Sequence, residues 1–211
     1  MTDNLGGAYD VAYQKARTKL RRCQPADLAA AGGAFFDAAS GLISLRYVNE
    51  DYHISWPGGE VAAAGGEATP AVVKTVLLHY LLRAAGQPLA GRLVSFKEIT
   101  GGGVKYLDMY NKRIIDGLLA VFGSRPALMT AAGKLVGGAR AIYGQYGLSI
   151  DILPRLPVIF ALWAGYDELP ARVTVLYDAS APFYLPAEDL IEATAVCVHK
   201  LAEAAKKLTA G

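Results

Sequence analysis

Three consecutive glycines, Gly101, Gly102 and Gly103, precede a stretch whose apolar residues recur at helical spacing. Flexible residues at the start of a helix can aim several free N–H groups at an anion, and the helix dipole adds to that attraction. The triplet lacks the Gly-Lys-Ser/Thr ending of a phosphate loop, and the chain has no G-x-G-x-x-G. The plainer reading is a turn with Thr100 as its cap. Beyond the glycines, Tyr106, Tyr110 and Arg113 follow at spacings of four and three, on one helical face. Two aromatics and a guanidinium can flank a planar or anionic ligand. The plainer alternative is a row of half-buried side chains whose polar ends reach water.

Acidic residues are the second candidate set. Asp167 and Glu168 stand between two β-rich runs, Val158 to Trp163 and Arg172 to Tyr177, and Asp178 ends the second run. Carboxylates at strand ends can hold Mg²⁺ or Ca²⁺, or act as acid and base, which makes Asp167, Glu168 and Asp178 candidate metal ligands. The two runs read as a hairpin, whose tip lies opposite its base, so any site is either the tip or the base with Asp151. Asp178-Ala179-Ser180 also reads as an Asx-type turn.

Among the histidines, His53 sits mid-strand, His199 in the last helix, and His79 on an amphipathic helix at the edge of its apolar stripe. His79 is the candidate axial or metal ligand, against the ordinary reading of a structural or surface histidine. Cys23 and Cys197 stand alone, outside any zinc or cluster spacing. A single disulfide between them stays open, although free thiols suit a reducing cytoplasm. No G-x-S-x-G occurs, so nucleophilic catalysis has no positive support.

Several elements must position these residues. Helical spacing runs from Tyr9 to Cys23 on Val11, Ala12, Ala16 and Leu20, and a short second helix from Pro25 ends at Gly32-Gly33. Alternation from Gly41 to Val48, a turn at Asn49 to Asp51, and a return from Tyr52 to Trp56 predict a hairpin, extended by Val61 to Ala63. Thr69 as cap and Pro70 at the first position predict a helix to Ala85, with Val73, Leu77, Tyr80, Leu81 and Ala84 buried. A brief strand at Leu93 to Phe96 leads to a helix from Val104 to Phe122, with Leu107, Ile114, Leu118 and Val121 on its core face. A short helix from Pro126 to Lys134 follows, then the unassigned Val136 to Gly147 and a strand at Leu148 to Leu153. After the hairpin, a long helix from Ala187 to Leu208 carries acids at its start and Lys206 and Lys207 at its end, as its dipole favours. Segregated runs of this kind predict an α+β fold, a largely antiparallel sheet with helices packed against it, in one domain over residues 1–211.

The 211 residues are 53% hydrophobic and 19% charged with net charge +2, which excludes disorder and argues against a nucleic-acid partner. The basic run Lys15, Arg17, Lys19, Arg21 and Arg22 reads as the wet face of the first helix. No apolar run approaches the ~18 residues of a membrane span, and the N-terminus lacks a signal-peptide core. A cytoplasmic chain without a membrane partner is expected.

The run VSFKEITGGG at 94–103, with LLHYLL at 77–82 and GQPL at 86–89, resembles the middle of the bacterial and archaeal domain-of-unknown-function family 3786. LPRLPVIFALWAGYDELPARVTVLYDASAPFYLPAEDL, at 153–190, resembles that family's C-terminal half. The resemblance covers the chain after the first helix. It implies an anaerobic setting, and some relatives add a cysteine-rich iron–sulfur segment like that of corrinoid proteins, which this chain lacks. It brings no activity and no catalytic residue. The resulting expectation is a binding module for a small anionic or planar cofactor, a tetrapyrrole or corrinoid among them, using Gly101–Gly103, Tyr106, Tyr110, Arg113 and His79. The alternatives are an accessory partner of an anaerobic enzyme, and a carboxylate enzyme using Mg²⁺ at Asp167, Glu168 and Asp178. Oligomeric state stays open.

Overall fold

The computed structural model of the protein describes residues 3–210. Helix α1 (Asp3–Leu20) buries Tyr13, Ala16 and Leu20, whereas Val11, expected inside, is exposed. Tyr13 takes that face because its hydroxyl has partners there: it donates to the Gly59 carbonyl oxygen at 2.9 Å and accepts the Val61 N–H at 3.2 Å. Helix α2 (Pro25–Gly32) ends where Gly33 turns left-handed at φ 68°. Strands β1 (Phe35–Asp37), β2 (Leu42–Tyr47), β3 (Glu50–Ser55) and β4 (Val61–Ala63) form an antiparallel sheet in sequence order. The expected hairpin is β2–β3, but its turn is the pair Val48-Asn49, both left-handed. The edge strand β4 is closed to further pairing: Tyr13 takes the Val61 N–H and the Thr69 hydroxyl takes that of Ala63 at 3.1 Å. Thr69 is therefore not the cap of the next helix, α3 (Ala71–Arg83), whose N-cap position falls on Pro70.

Strand β5 (Leu93–Ser95) leads into the glycine segment. Here the sequence expectation of a continuous helix from Val104 fails. Residues 101–106 are turns, and the helix begins only at α4 (Leu107–Tyr110). A wide π-type turn over Asn111–Ile115 then joins α4 to α5 (Asp116–Phe122). Tyr110, Ile114, Leu118 and Phe122, four apart, face the core, and Val121 lies partly outside it. Helix α6 (Pro126–Leu135) falls where the short helix is expected, and strand β6 (Ala139–Ala141) lies in the unassigned stretch. Strands β7 (Tyr146–Leu153), β8 (Leu156–Trp163) and β9 (Arg172–Asp178) follow, and α7 (Ala187–Thr209) closes the chain.

The second sheet has the order β5-β9-β8-β7-β6, antiparallel throughout, so the predicted β8–β9 hairpin sits at its middle. Leu156, Val158, Phe160 and Leu162 of β8 are wholly buried; at about 1.5–3 kcal/mol each, they make β8 the strand the fold can least lose. On β9, buried Val173, Val175 and Tyr177 alternate with half-exposed Thr174 and Leu176, the pattern of a sheet covered on one face. The cover includes α5, α6 and α7, and the Tyr177 hydroxyl meets that of Thr194 on α7 at 3.0 Å. The two sheets touch where the Val48 N–H donates to the Ile152 carbonyl oxygen at 3.0 Å. One hydrophobic cluster runs from Tyr13 to Ala205 through both. The fold is α+β with two antiparallel sheets and a long C-terminal helix, as the segregated pattern predicts. Both cysteines are free thiols; Cys197 is buried, and burial pushes its thiol well up. Among the described residues, no single helix is long and apolar enough to cross a membrane.

Candidate functional site

Three residues singled out by the sequence each meet an acid at the start of α7. The Tyr106 hydroxyl donates to Glu188 at 3.3 Å, His79 Nδ1 lies 2.7 Å from Asp189 Oδ2, and the Arg113 guanidinium grips Glu192 through both terminal nitrogens. Carboxylates in the first turns of a helix are favoured by its dipole, and here each also gains a donor from another element. These contacts dock α4, α3 and the π-type turn onto α7. Tyr110 turns away into the core, stacked on Phe96 with ring centroids 4.1 Å apart, and its hydroxyl is buried close to the Tyr177 phenol. Burial pushes that phenol far up, so it stays protonated.

The glycines do not open a helix. Gly101 and Gly102 have φ of 90° and 138°, and the Gly103 N–H bonds to the Ile99 carbonyl oxygen at 3.2 Å. At Gly103 a Cβ would lie 2.2 Å from the Phe96 carbonyl oxygen, so a close backbone approach requires glycine there.

Asp167 and Glu168 are exposed at the hairpin tip, with Asp167 left-handed at φ 49°. Asp178 lies at the opposite end of β9 and is buried. Its carboxylate accepts the N–H groups of Ala90 and Gly91, both at 2.8 Å, and of Ser180 at 2.9 Å. It thus forms the Asx-type turn and also ties down the loop before β5. Among the described residues, no group of three or more His, Cys, Asp or Glu is placed to hold a metal ion. The His79–Asp189 pair orients an imidazole, but among the described residues no serine, threonine or cysteine hydrogen-bonds to its other nitrogen.

Among the described residues, a groove of about 850 Å³ lies between α7, β3, β4 and the loop that leads into α3. Ala63, Ala64, Val72, Val73, Ala195 and Val196 give it apolar walls. Arg113 lines it, alone among the sequence-derived candidates, together with the 4%-exposed Glu192. The bond to Glu192 is the largest influence raising the Arg113 pKa. Burial, with the charge of Glu192 adding to it, pushes the nearby Tyr9 phenol up to about 12. Further along, Lys200 of α7 pairs with Glu50 of β3, which also accepts the Tyr52 hydroxyl at 2.9 Å. Burial works to raise the Glu50 carboxyl, but Lys200 and Tyr52 outweigh it and hold the group below its ordinary range. A smaller hollow of about 360 Å³ shares Glu50, Lys200 and Glu203 with the groove. The groove walls carry Glu50, Asp51, Glu67, Glu192 and Glu203 against Arg113, Lys200 and His199, the last 3.3 Å from Glu203.

Sequence reasoning missed α7 as a wall, having taken only its terminal charges. The available signal was spacing: Glu192, Val196, Lys200 and Glu203 recur at four, four and three along one helical face.

Fold and groove together define an α+β protein with a ligand-sized cleft beside its long terminal helix. The family model described as "Domain of unknown function (DUF3786)" matches residues 24–200, from the start of α2 to Lys200, and the chain belongs to that family. No curated protein and no solved structure gives a match.

Proposed function

We propose that the protein is a non-catalytic binding module whose ligand is a small cofactor with a flat or apolar body. The observation that carries this reading is the groove of about 850 Å³, with apolar side walls and a fixed guanidinium, since ligand sites are concave, largely apolar and carry a few placed polar groups. Of the expected anionic or planar cofactors, the apolar walls favour one with a planar body. Tetrapyrroles and corrinoids fall in that class. Titrating purified protein with haemin and with cobalamin, followed by absorbance and thermal melting, tests the reading. A binder at a hundred times its Kd should add about 2.7 kcal/mol of stability. Unchanged spectra and melting with both would remove the tetrapyrrole version. Native mass spectrometry of protein from an anaerobic host would then weigh any other retained ligand.

A second reading, an accessory partner of an enzyme, draws on a different surface. Ile142, Tyr166 and Leu169 are 93%, 76% and 71% exposed in the two loops at one end of the five-stranded sheet. The loops are tied by the Ala164 N–H donating to Gln145 at 2.8 Å. Large apolar side chains gathered in this way mark interaction surfaces. Ile142→Asp with Leu169→Asp should abolish a specific co-purifying partner; retention of the same partner by the variant would refute this use of the surface.

A further inference from the structure

Arg113 is held in a geometry that leaves it half free. Its grip on Glu192 engages both terminal nitrogens and the Tyr9 hydroxyl stands beside it, yet a guanidinium has five N–H donors, and the side chain remains 38% exposed along the groove. The Glu192 side chain is only 6% exposed, so the plane of the guanidinium is set before any ligand arrives. Lys200 differs, because its charge is engaged by Glu50 across the groove. The groove's apolar walls include Val72, Val73, Ala195 and Val196. The remaining acids, Asp51, Glu67 and Glu203, are exposed. A ligand cation would find Glu192 and Glu50 already paired and only these exposed carboxylates to meet, contacts worth little in water.

Resting on the groove reading above, we infer that the groove takes a monocarboxylate with an apolar body, its carboxylate bound to the free N–H groups of Arg113. The apolar body lies along α3 and α7.

A matched pair of fluorescent probes tests this, 1-pyrenebutyric acid and 1-pyrenebutanol, which share a flat apolar body and differ in the carboxylate. Titrated into the full chain, the acid is expected to bind at least about tenfold more tightly, the usual worth of a charge-assisted hydrogen bond. In Arg113→Met/Glu192→Met, which removes both charges of the buried pair, that preference should vanish. Arg113→Lys, which keeps the charge and loses the fork, should narrow it. Val196→Trp fills the wall and should weaken both probes. Equal affinities in the parent, or a preference that persists in the double variant and in Arg113→Lys, overturns the carboxylate inference and leaves the groove reading standing. Failure of both probes to bind the parent, or full binding by Val196→Trp, overturns the two together.

Discussion

The Tyr47 hydroxyl donates to the Ala193 carbonyl oxygen at 3.1 Å, joining residues 146 apart in sequence. Through that bond β2 is fixed to α7, so the four-stranded sheet and the terminal helix that forms the groove cannot shift independently. The phenol is wholly buried, and burial pushes it far up, so it is always a donor. Tyr47→Phe keeps the packing and removes one neutral hydrogen bond, for an expected loss of about 1 kcal/mol. Urea unfolding should show a lower midpoint at unchanged slope. An unchanged midpoint would mean that the bond contributes nothing to the junction.

Gly103 and Gly101 separate two reasons for using glycine. At Gly103 an added Cβ meets the backbone oxygens of Phe96 and Ile99, whereas at Gly101 it meets open space and only the φ of 90° opposes it. Gly103→Ala is expected to cost about 2–3 kcal/mol as an overpacking defect against backbone, and Gly101→Ala about 1 kcal/mol. Parallel thermal melts of the two variants would decide. Equal losses would mean that the backbone around Gly103 gives way to a methyl group at little cost.

How much of this was legible in the residues follows from the range over which each signal acts. The β8–β9 hairpin was, because a run such as Val158 to Trp163 is set by local pattern and lies mid-sheet, where every residue is constrained. Strand β1 was not, since three residues carry too short a period to register. The Gly101–Gly103 turn was legible as a turn, but the helix after it was started at Val104 and not at Leu107, because the glycines serve a tertiary contact with the Phe96 backbone. Arg113 was found through its spacing from Tyr110, yet its partner Glu192 lies 79 residues away and only the fold brings them together. The same holds for His79 and Asp189, 110 residues apart. Local pattern yields elements, and the groove is a product of pairings between them.

Asp178 makes stability depend on pH in a definite direction. Burial works to raise its carboxyl, but bonds from Ser180 and from the Ala90 and Gly91 N–H groups prevail and lower it. A carboxyl lowered on folding stabilises the protein fully above its unfolded pKa, about 3.9, and that contribution is lost as pH falls through the folded value. Asp178→Asn should cost about 2 kcal/mol at pH 7, as bonds to a charged acceptor are lost. The gap between parent and variant should narrow below about pH 4. Denaturant unfolding at pH 7 and pH 3 checks the sign; a gap that widens in acid would contradict it.

Arg113 and Glu192 should behave as a unit. Arg113→Met strands a carboxylate that is 4% exposed, at an expected cost of about 3 kcal/mol, the low end for a broken buried pair because the guanidinium itself is half-exposed. Glu192→Met leaves an arginine able to turn toward water, for about 1 kcal/mol. The double variant should return to within about 1 kcal/mol of the parent, since a well-packed apolar pair often replaces a buried ion pair without loss. A double-mutant cycle by urea unfolding measures the coupling, and additive single losses would show the pair to be an ordinary surface contact. The two roles of Arg113 then come apart. A double variant as stable as its parent but blind to the probe carboxylate would show that this arginine is retained for what it binds, because the fold can dispense with its charge.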